Sequence, residues 1–498
     1  MKQVPQLLSK TRLMRGYRCL KNIYLNVHDP KLEAPITEDQ QALFDQGNAV
    51  GAEARKRFPG GVLIDNKPWD FIGSLKRTRE LIANGTEVIY EAAFEHQGCY
   101  ARADIIRYST SSKRWTIYEV KSSTKVKPEQ IDDIGLQAWI IANSGLPIER
   151  ICILHLNPEC RFPDLSNLFC EVDLTSPLRE KYPLTLPRIR EIYGAISQPS
   201  APVIDIGPHC FDPNDCGFRE ACWREKNIPA VSIFDLPQLR DRKWELYRQG
   251  IVELSDSRLS DLNPLQERIV QGHRNRQRFI NFKGIKESLS PWRFPLVFLD
   301  FETINPAIPQ YIGCWPYSQV PFQFSVHVTE SPDSQTQHHE FLHADATDPR
   351  PSLIPALIKA CAGEGNIVSY YGKFETDRIK EMAEQFPPYR DELTSLTARI
   401  VDPLPVIRDN VYDEAFCGSF SLKAVAPAIL GESFSYDGMF VSNGTAAQRA
   451  FEELIARTTT EERRADLCRG LLDYCRKDTL VMVELVKWLY RQADFDEL

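Results

Sequence analysis

No stretch of the 498-residue sequence approaches the roughly 18 uninterrupted apolar residues that a membrane helix requires. The basic N-terminus also lacks an apolar core, because Leu7-Leu8 runs directly into Ser9-Lys10. Neither a membrane span nor a secretory signal is expected, and the reading is a soluble, cytoplasmic protein. Internal repeats and low-complexity tracts are missing, which excludes solenoids and disordered arrays. There is no glycine-rich nucleotide fingerprint and no Cys-x3-Cys-x2-Cys run, so nucleotide-linked redox or radical chemistry has no support. A net charge of −8 means that any nucleic acid must be held by local basic patches.

Composition is otherwise that of a folded chain, 43% hydrophobic and 26% charged. Residues 1–28 carry Lys2, Lys10, Arg12, Arg15, Arg18 and Lys21 with no acid. A second basic stretch, 266–293, contains Arg268, Arg274, Arg276, Arg278, Lys283, Lys286 and Arg293. Either could funnel a phosphate backbone or be a solvated face. Strands are expected at 88–94, 100–107, 115–120 and 151–156, with a helix opened by Pro128. Residues 183–213 are punctuated by prolines. A polar helical connector follows over about 229–291, then apolar strands at 296–301, 322–328 and 367–371 and a closing helix over 464–491. Strands mixed with helices in both halves predict two α/β domains.

Two groups of acids stand out. Asp104 lies on one predicted strand, and Glu119 and Lys121 share a face of the next. Paired carboxylates hold hard divalent ions that activate water, and a lysine stabilises the phosphorane oxyanion. Glu91 on the preceding strand and Glu53 on an earlier helix could complete the shell, while Gln137 could orient a phosphate or the lysine. In Tyr90-Glu91-Ala92, Ala103-Asp104, Tyr118-Glu119-Val120-Lys121 and Leu136-Gln137 the sequence resembles the RecB-like branch of the PD-(D/E)xK nucleases. That branch includes CRISPR-associated exonucleases with an iron–sulfur cluster. It often carries a histidine in its first helix, where this chain offers Glu53.

Of the 13 cysteines, Cys210, Cys216 and Cys222 are spaced Cys-x5-Cys-x5-Cys, and Cys19 lies far upstream. Four thiolates can hold zinc or a cubane cluster, and the tight pairs usual for structural zinc are absent. The one-plus-three layout resembles that of the same nuclease branch, which implies a 4Fe-4S cluster, with zinc as the alternative.

The second group is Asp300 and Glu302 at a strand end, Glu375 near a helix start, and Tyr474 and Asp478 one helical turn apart. Carboxylates from three elements can converge on two metal ions, with Tyr474 orienting water. The ordered set resembles the DEDD 3′→5′ exonucleases of the RNase H-like fold. It resembles more closely an uncharacterised bacterial domain of that kind, often fused behind a RecB-like module. Glu375 stands where those exonucleases use Asp; Asp402 is a lower-ranked candidate. Ser421 and Lys423 could contact a phosphate, or be a helix cap and a solvated lysine.

The expectation is a restriction-endonuclease-like PD-(D/E)xK domain at 1–228, a connector at 229–291 and an RNase H-like DEDD domain at 292–498. Together they would form a nuclease with two active sites dependent on Mg2+ or Mn2+. Single-stranded DNA is favoured for the first site, and DNA or RNA for 3′→5′ trimming at the second. A nucleic-acid-binding protein with one or both sites inactive is the rival reading.

Overall fold

The computed structural model describes residues 7–494, so Lys2 of the first basic stretch lies outside the described residues. The fold is mixed α/β and divides into two units. One runs to Asn227 and includes Pro306–Tyr317; the other holds Ile228–Asn305 and Ser318 onward. No helix among the described residues is long and apolar enough to cross a membrane.

The first unit is built on a seven-stranded sheet. Its strands are β1 (Leu8–Ser9), β2 (Val62–Leu63), β3 (Val88–His96), β4 (Cys99–Ser109), β5 (Arg114–Lys121), β6 (Ile148–Leu156) and β7 (Phe169–Asp173). β3, β4 and β5 form an antiparallel meander, and β6 joins β5 in parallel. Alternating residues such as Ile89, Ala101, Ala103, Ile117 and Ile153 face a core completed by helix Pro128–Asn143 and helix Thr175–Ile196. The last β4–β5 pair is Ile105–Tyr118, and beyond it β1 docks in parallel on β4 at Cys99 and Tyr100. The N-terminal strand thus occupies the edge that β5 has left.

Helix Thr175–Ile196 carries Pro183 and Pro187 internally, although the proline spacing reads as loop. Burial of Leu178, Ile189 and Ile192 outweighs the lost amide bonds, as tertiary packing overrides local preference. Helix Lys10–Arg18 approaches it closely through Gly16, where a Cβ would stand 2.6 Å from Ile192 Cγ1.

In the second unit, β8 (Phe279–Ile280) pairs with β14 (Val411–Tyr412). The main sheet contains β9 (Leu296–Ile304), β10 (Val320–Thr329), β11 (Gln337–Leu342), β12 (Ile367–Val368) and β13 (Ile400–Val401), ordered β11-β10-β9-β12-β13. β10 runs antiparallel to its neighbours, while β12 and β13 run parallel to β9. Helix Glu461–Asp494 crosses the sheet and buries Met482, Val483 and Val486 against Leu296, Phe298 and Val368. Residues 229–291, read from sequence as a connector, belong to this unit. Ile233, Leu246, Ile269 and Ile285 share a core cluster with Val411, Leu485 and Leu489.

Several members of the basic stretches have partners within the fold. Arg15 pairs with Glu33 at 2.7 Å, Lys21 with Glu225 at 2.8 Å, and Arg278 with Asp413 at 2.8 Å. Arg268 donates to the Arg408 carbonyl at 2.9 Å, and Arg274 to that of Asp256 at 2.6 Å. Arg12 in the first stretch and Arg276, Lys283, Lys286 and Arg293 in the second remain exposed.

Candidate functional site

In the first unit, the register of the meander lays three acids in a row. Tyr90 pairs with Ile105 and Ala92 with Ala103, so Glu91 stands opposite Asp104. The Ile105–Tyr118 pair puts Asp104 opposite Glu119 in turn. The row lies where the ladders break. Glu91 has φ 58°, a left-handed backbone costly for a residue with a Cβ, and the Asp104 carboxylate accepts the Val120 amide at 2.6 Å. Asp104 is pushed up to about 8 by burial first, then by the charges of Glu119 and Glu91.

Glu119 is ringed by donors. Lys121 reaches its Oε1 at 2.8 Å and Gln137 Nε2 its Oε2 at 2.7 Å. Two further residues, not anticipated from the sequence, belong here. Lys10 Nζ donates to Glu119 Oε1 at 2.9 Å, to Asp133 Oδ2 at 3.0 Å and to Gln137 Oε1 at 2.9 Å. Lys121 also donates to Asp133 Oδ2, at 2.6 Å. Burial works against the Glu119 charge, but Lys10 and Lys121 outweigh it and hold the carboxyl below its ordinary range. Gln137 therefore orients Lys10 and Glu119, and it is Asp133 that orients Lys121. A helical period could have found Asp133, four residues before Gln137 on one face. Nothing local marks Lys10.

Glu91 is near the row's end and is held by Arg55 at 3.3 Å and Arg102 at 3.6 Å. Glu53 pairs with Lys56 at 2.6 Å and has no bond to the cluster among the described residues.

Cys19, Cys210, Cys216 and Cys222 line one small cavity with Asn22, His209 and Phe218. Asn22 Nδ2 lies 3.1 Å from Cys216 Sγ, a donor suited to a thiolate or sulfide. Arg18 clamps the cysteine loop by donating to the His209 carbonyl at 2.7 Å and to Asn214 Oδ1 at 2.9 Å. The Cys222 thiol is raised to about 11 by burial, partly offset by Lys21. No three of the four sulfurs come within 4.8 Å of one another among the described residues.

In the second unit, Asp300 and Glu302 project from β9 opposite Ser325 and Gln323 of β10. Helix Glu461–Asp494 is pinned across β10 at three points. Gln323 donates to the Leu471 carbonyl at 2.8 Å, and Thr479 is 2.7 Å from both Ser325 Oγ and His327 Nδ1. That register turns Tyr474, Cys475 and Asp478 toward the two β9 acids. Asp300, Glu302 and Cys475 offer ligand atoms within 4.8 Å of one another.

Glu375, in the first turn of helix Lys373–Gln385, is buried, and its Oε2 has no hydrogen-bond partner among the described residues. Burial, then the charges of Asp478, Glu302 and Glu375, raise Asp300 well above the carboxylate range. Burial also lifts Glu375 to about 7, aided by Asp402, and Asp478 to about 6 against the bond from Tyr436. Lys423 lies 5.0 Å from the Tyr474 ring centroid and 5.1 Å from that of Tyr436, and it lowers Glu302 and Asp478. It is thus part of the site, whereas Ser421 caps its helix through the Ala424 amide.

Asp402 accepts the amides of Leu404, Tyr371 and Gly372 at 2.8, 3.1 and 3.2 Å. Its carboxylate caps one helix and holds the loop that delivers Glu375. Four buried or half-buried carboxylates, with the ammoniums of Lys423 and Lys477 nearby, make a site suited to divalent cations.

Residues 297–421 match the model of a domain of unknown function, DUF2779, a span that contains Asp300, Glu302, Glu375 and Asp402 but ends before Tyr474 and Asp478. An uncharacterised protein of Mycoplasma pneumoniae (strain ATCC 29342 / M129 / Subtype 1), an MG366 homologue, is 24% identical over 221 residues. The match covers 41% of this chain and 33% of that protein, so the chain spans about a third of the length of that relative. The solved structure of SSO0001 aligns over 45% of this chain and 88% of its own, with 12% identity and a TM-score of 0.24.

Proposed function

We propose that the chain is a metal-dependent phosphodiesterase with two active sites, one in each unit, acting on nucleic acid. The observation that carries this reading is the convergence of Asp300, Glu302, Glu375 and Asp478 from a strand, a helix start and a crossing helix, the last three raising the proton affinity of Asp300. Divalent ions there would neutralise the acids and charge developing on phosphate. The parallel and antiparallel order of the sheet, with Tyr474 and Asp478 on one helical face, supports an RNase H-like DEDD exonuclease.

In the first unit, the row of Glu91, Asp104 and Glu119 beside Lys121 and Gln137 supports a PD-(D/E)xK nuclease. Asp104 and Glu119 would hold Mg2+ or Mn2+, which supplies the activated water. Lys121, kept protonated by Glu119 and Asp133 despite burial, would meet the phosphorane oxyanion. Gln137 fixes the free rotation of Glu119. Cys19, Cys210, Cys216 and Cys222 would hold a 4Fe-4S cluster that ties the first helices to the end of the unit. A cytoplasmic enzyme acting on single-stranded ends fits both sites.

The test is cleavage of end-labelled single-stranded DNA and RNA by anaerobically purified protein in Mn2+ or Mg2+. Lys121→Ala and Asp300→Ala should each abolish a different product pattern, and the double variant should abolish both. Binding without cleavage in either metal would leave a nucleic-acid-binding protein instead.

A further inference from the structure

Lys10 has three donor hydrogens, and the structure uses all of them on oxygens of Glu119, Asp133 and Gln137 at 2.9, 3.0 and 2.9 Å. Three oxygens from two elements thus converge on one largely buried cation, with 15% of the side chain exposed. Convergent carboxylate and amide oxygens are the ligand set of a hard metal ion, here filled by an ammonium. The backbone fixes it in place. β1 pairs with β4, Ser9 caps the helix that Lys10 begins, and Gly16 packs that helix against Ile192.

Charge points the same way. With Glu91 paired to Arg55 and Arg102, and Asp104 ionised as a bound cation would make it, Asp104, Glu119 and Asp133 face Lys10 and Lys121 with one excess negative charge. One divalent ion converts this to a single positive charge, which one phosphodiester cancels. Two would leave a strongly positive pocket. The ammoniums gather on Glu119 Oε1 and Asp133 Oδ2, while Asp104 accepts a backbone amide. The vacant charge therefore lies at the Asp104 end of the row.

We propose that Lys10 is a built-in cation standing in for a second divalent ion, so that the first unit takes one metal ion, held by Asp104 and Glu119, rather than two. Lys10 is a positioning residue, holding Glu119 and Gln137 and staying protonated throughout. The proposal rests on the nuclease reading of this unit.

The experiment counts Mn2+ bound by the full chain without nucleic acid, from the electron paramagnetic resonance of free Mn2+. Asp300→Asn and Asp478→Asn are present throughout to silence the second unit. The chain with Lys10 should bind one Mn2+, lost on adding Asp104→Asn. Lys10→Ala should bind two, and Lys10→Arg one. Lys10→Met, which keeps the apolar stem, serves if the alanine variant does not fold. Two Mn2+ bound with Lys10 in place, or one bound with unchanged affinity after its removal, would overturn the proposal. Absence of any Asp104-dependent Mn2+ in all variants would instead remove the nuclease reading beneath it.

Discussion

The Tyr436 hydroxyl donates to Asp478 Oδ1 at 2.5 Å, and its ring stands edge-on to Tyr474 with centroids 6.1 Å apart. This bond is the foremost of the contacts that lower the proton affinity of Asp478 against burial, ahead of Lys423, Tyr474 and Lys477. A hydrogen bond to a charged group contributes about 1.5–3 kcal/mol. Tyr436→Phe should therefore weaken Mn2+ binding in the second unit by roughly tenfold or more. Titration calorimetry with Asp104→Asn present checks this, and unchanged affinity would count against a role for Asp478 as an ionised ligand.

Metal-free protein should lose stability as pH rises. Asp104, Glu375 and Asp478 are raised to about 8, 7 and 6 in the fold, from ordinary values of 3.8, 4.5 and 3.8. The native state binds more protons than the unfolded chain between those limits, so stability falls from about pH 4 upward, and the share of these three groups is lost above about pH 8. Mn2+ should flatten the dependence. Melting temperatures at pH 5.5 and 8, with and without Mn2+, measure it, and a rise in stability toward pH 8 without metal would refute the assignment.

Asp300→Asn removes a mutually repelling charge from the buried group. Metal-free melting temperature at pH 8 is expected to rise while the activity of the second unit is lost. A variant that is both inactive and destabilised at that pH would mark Asp300 as structural instead.

Asp402→Ala should act on Glu375 from a distance. It removes a helix cap, costing about 1 kcal/mol, and releases the Tyr371 and Gly372 amides that set the loop before Glu375. Lower turnover with nearly unchanged Mn2+ affinity is the expected pattern. Loss of metal binding as severe as in Asp300→Asn would make Asp402 a ligand.

Anaerobic protein should contain about four irons per chain and absorb broadly in the visible. Cys216→Ser should remove the absorption and lower the melting temperature. One zinc and no iron would select the alternative.

The α/β character, the central strands of both sheets and the acids on them were legible because β-rich composition and strand-end carboxylates are local signals, whereas the short or polar edge strands β1, β2, β7, β11 and β13 were not. Asp104 and Glu119 needed only the register of a meander to meet. Lys10 was not legible, because its place depends on a two-residue strand pairing with residues 99–100, which no local pattern encodes. Helix Thr175–Ile196 was hidden by its own prolines, and residues 229–291 by polar composition, since their sparse apolar residues find partners near the end of the chain. Glu53 lies apart from the cluster. Its carboxylate pairs with Lys56 one turn away.

The excursion of Pro306–Tyr317 constrains how this gene can be cut. The chain leaves β9 just after Asp300 and Glu302, contributes a segment to the first unit, and returns as β10. In that segment Tyr317 donates to the Ser122 carbonyl at 2.6 Å, immediately after Lys121, and Phe162 exchanges backbone bonds with Gly313 and Cys314. A single stop codon after residue 227 therefore yields a first unit missing one of its own pieces. Recombination that swapped either half alone would carry off part of the other, so neither unit is encoded by one uninterrupted stretch of the reading frame.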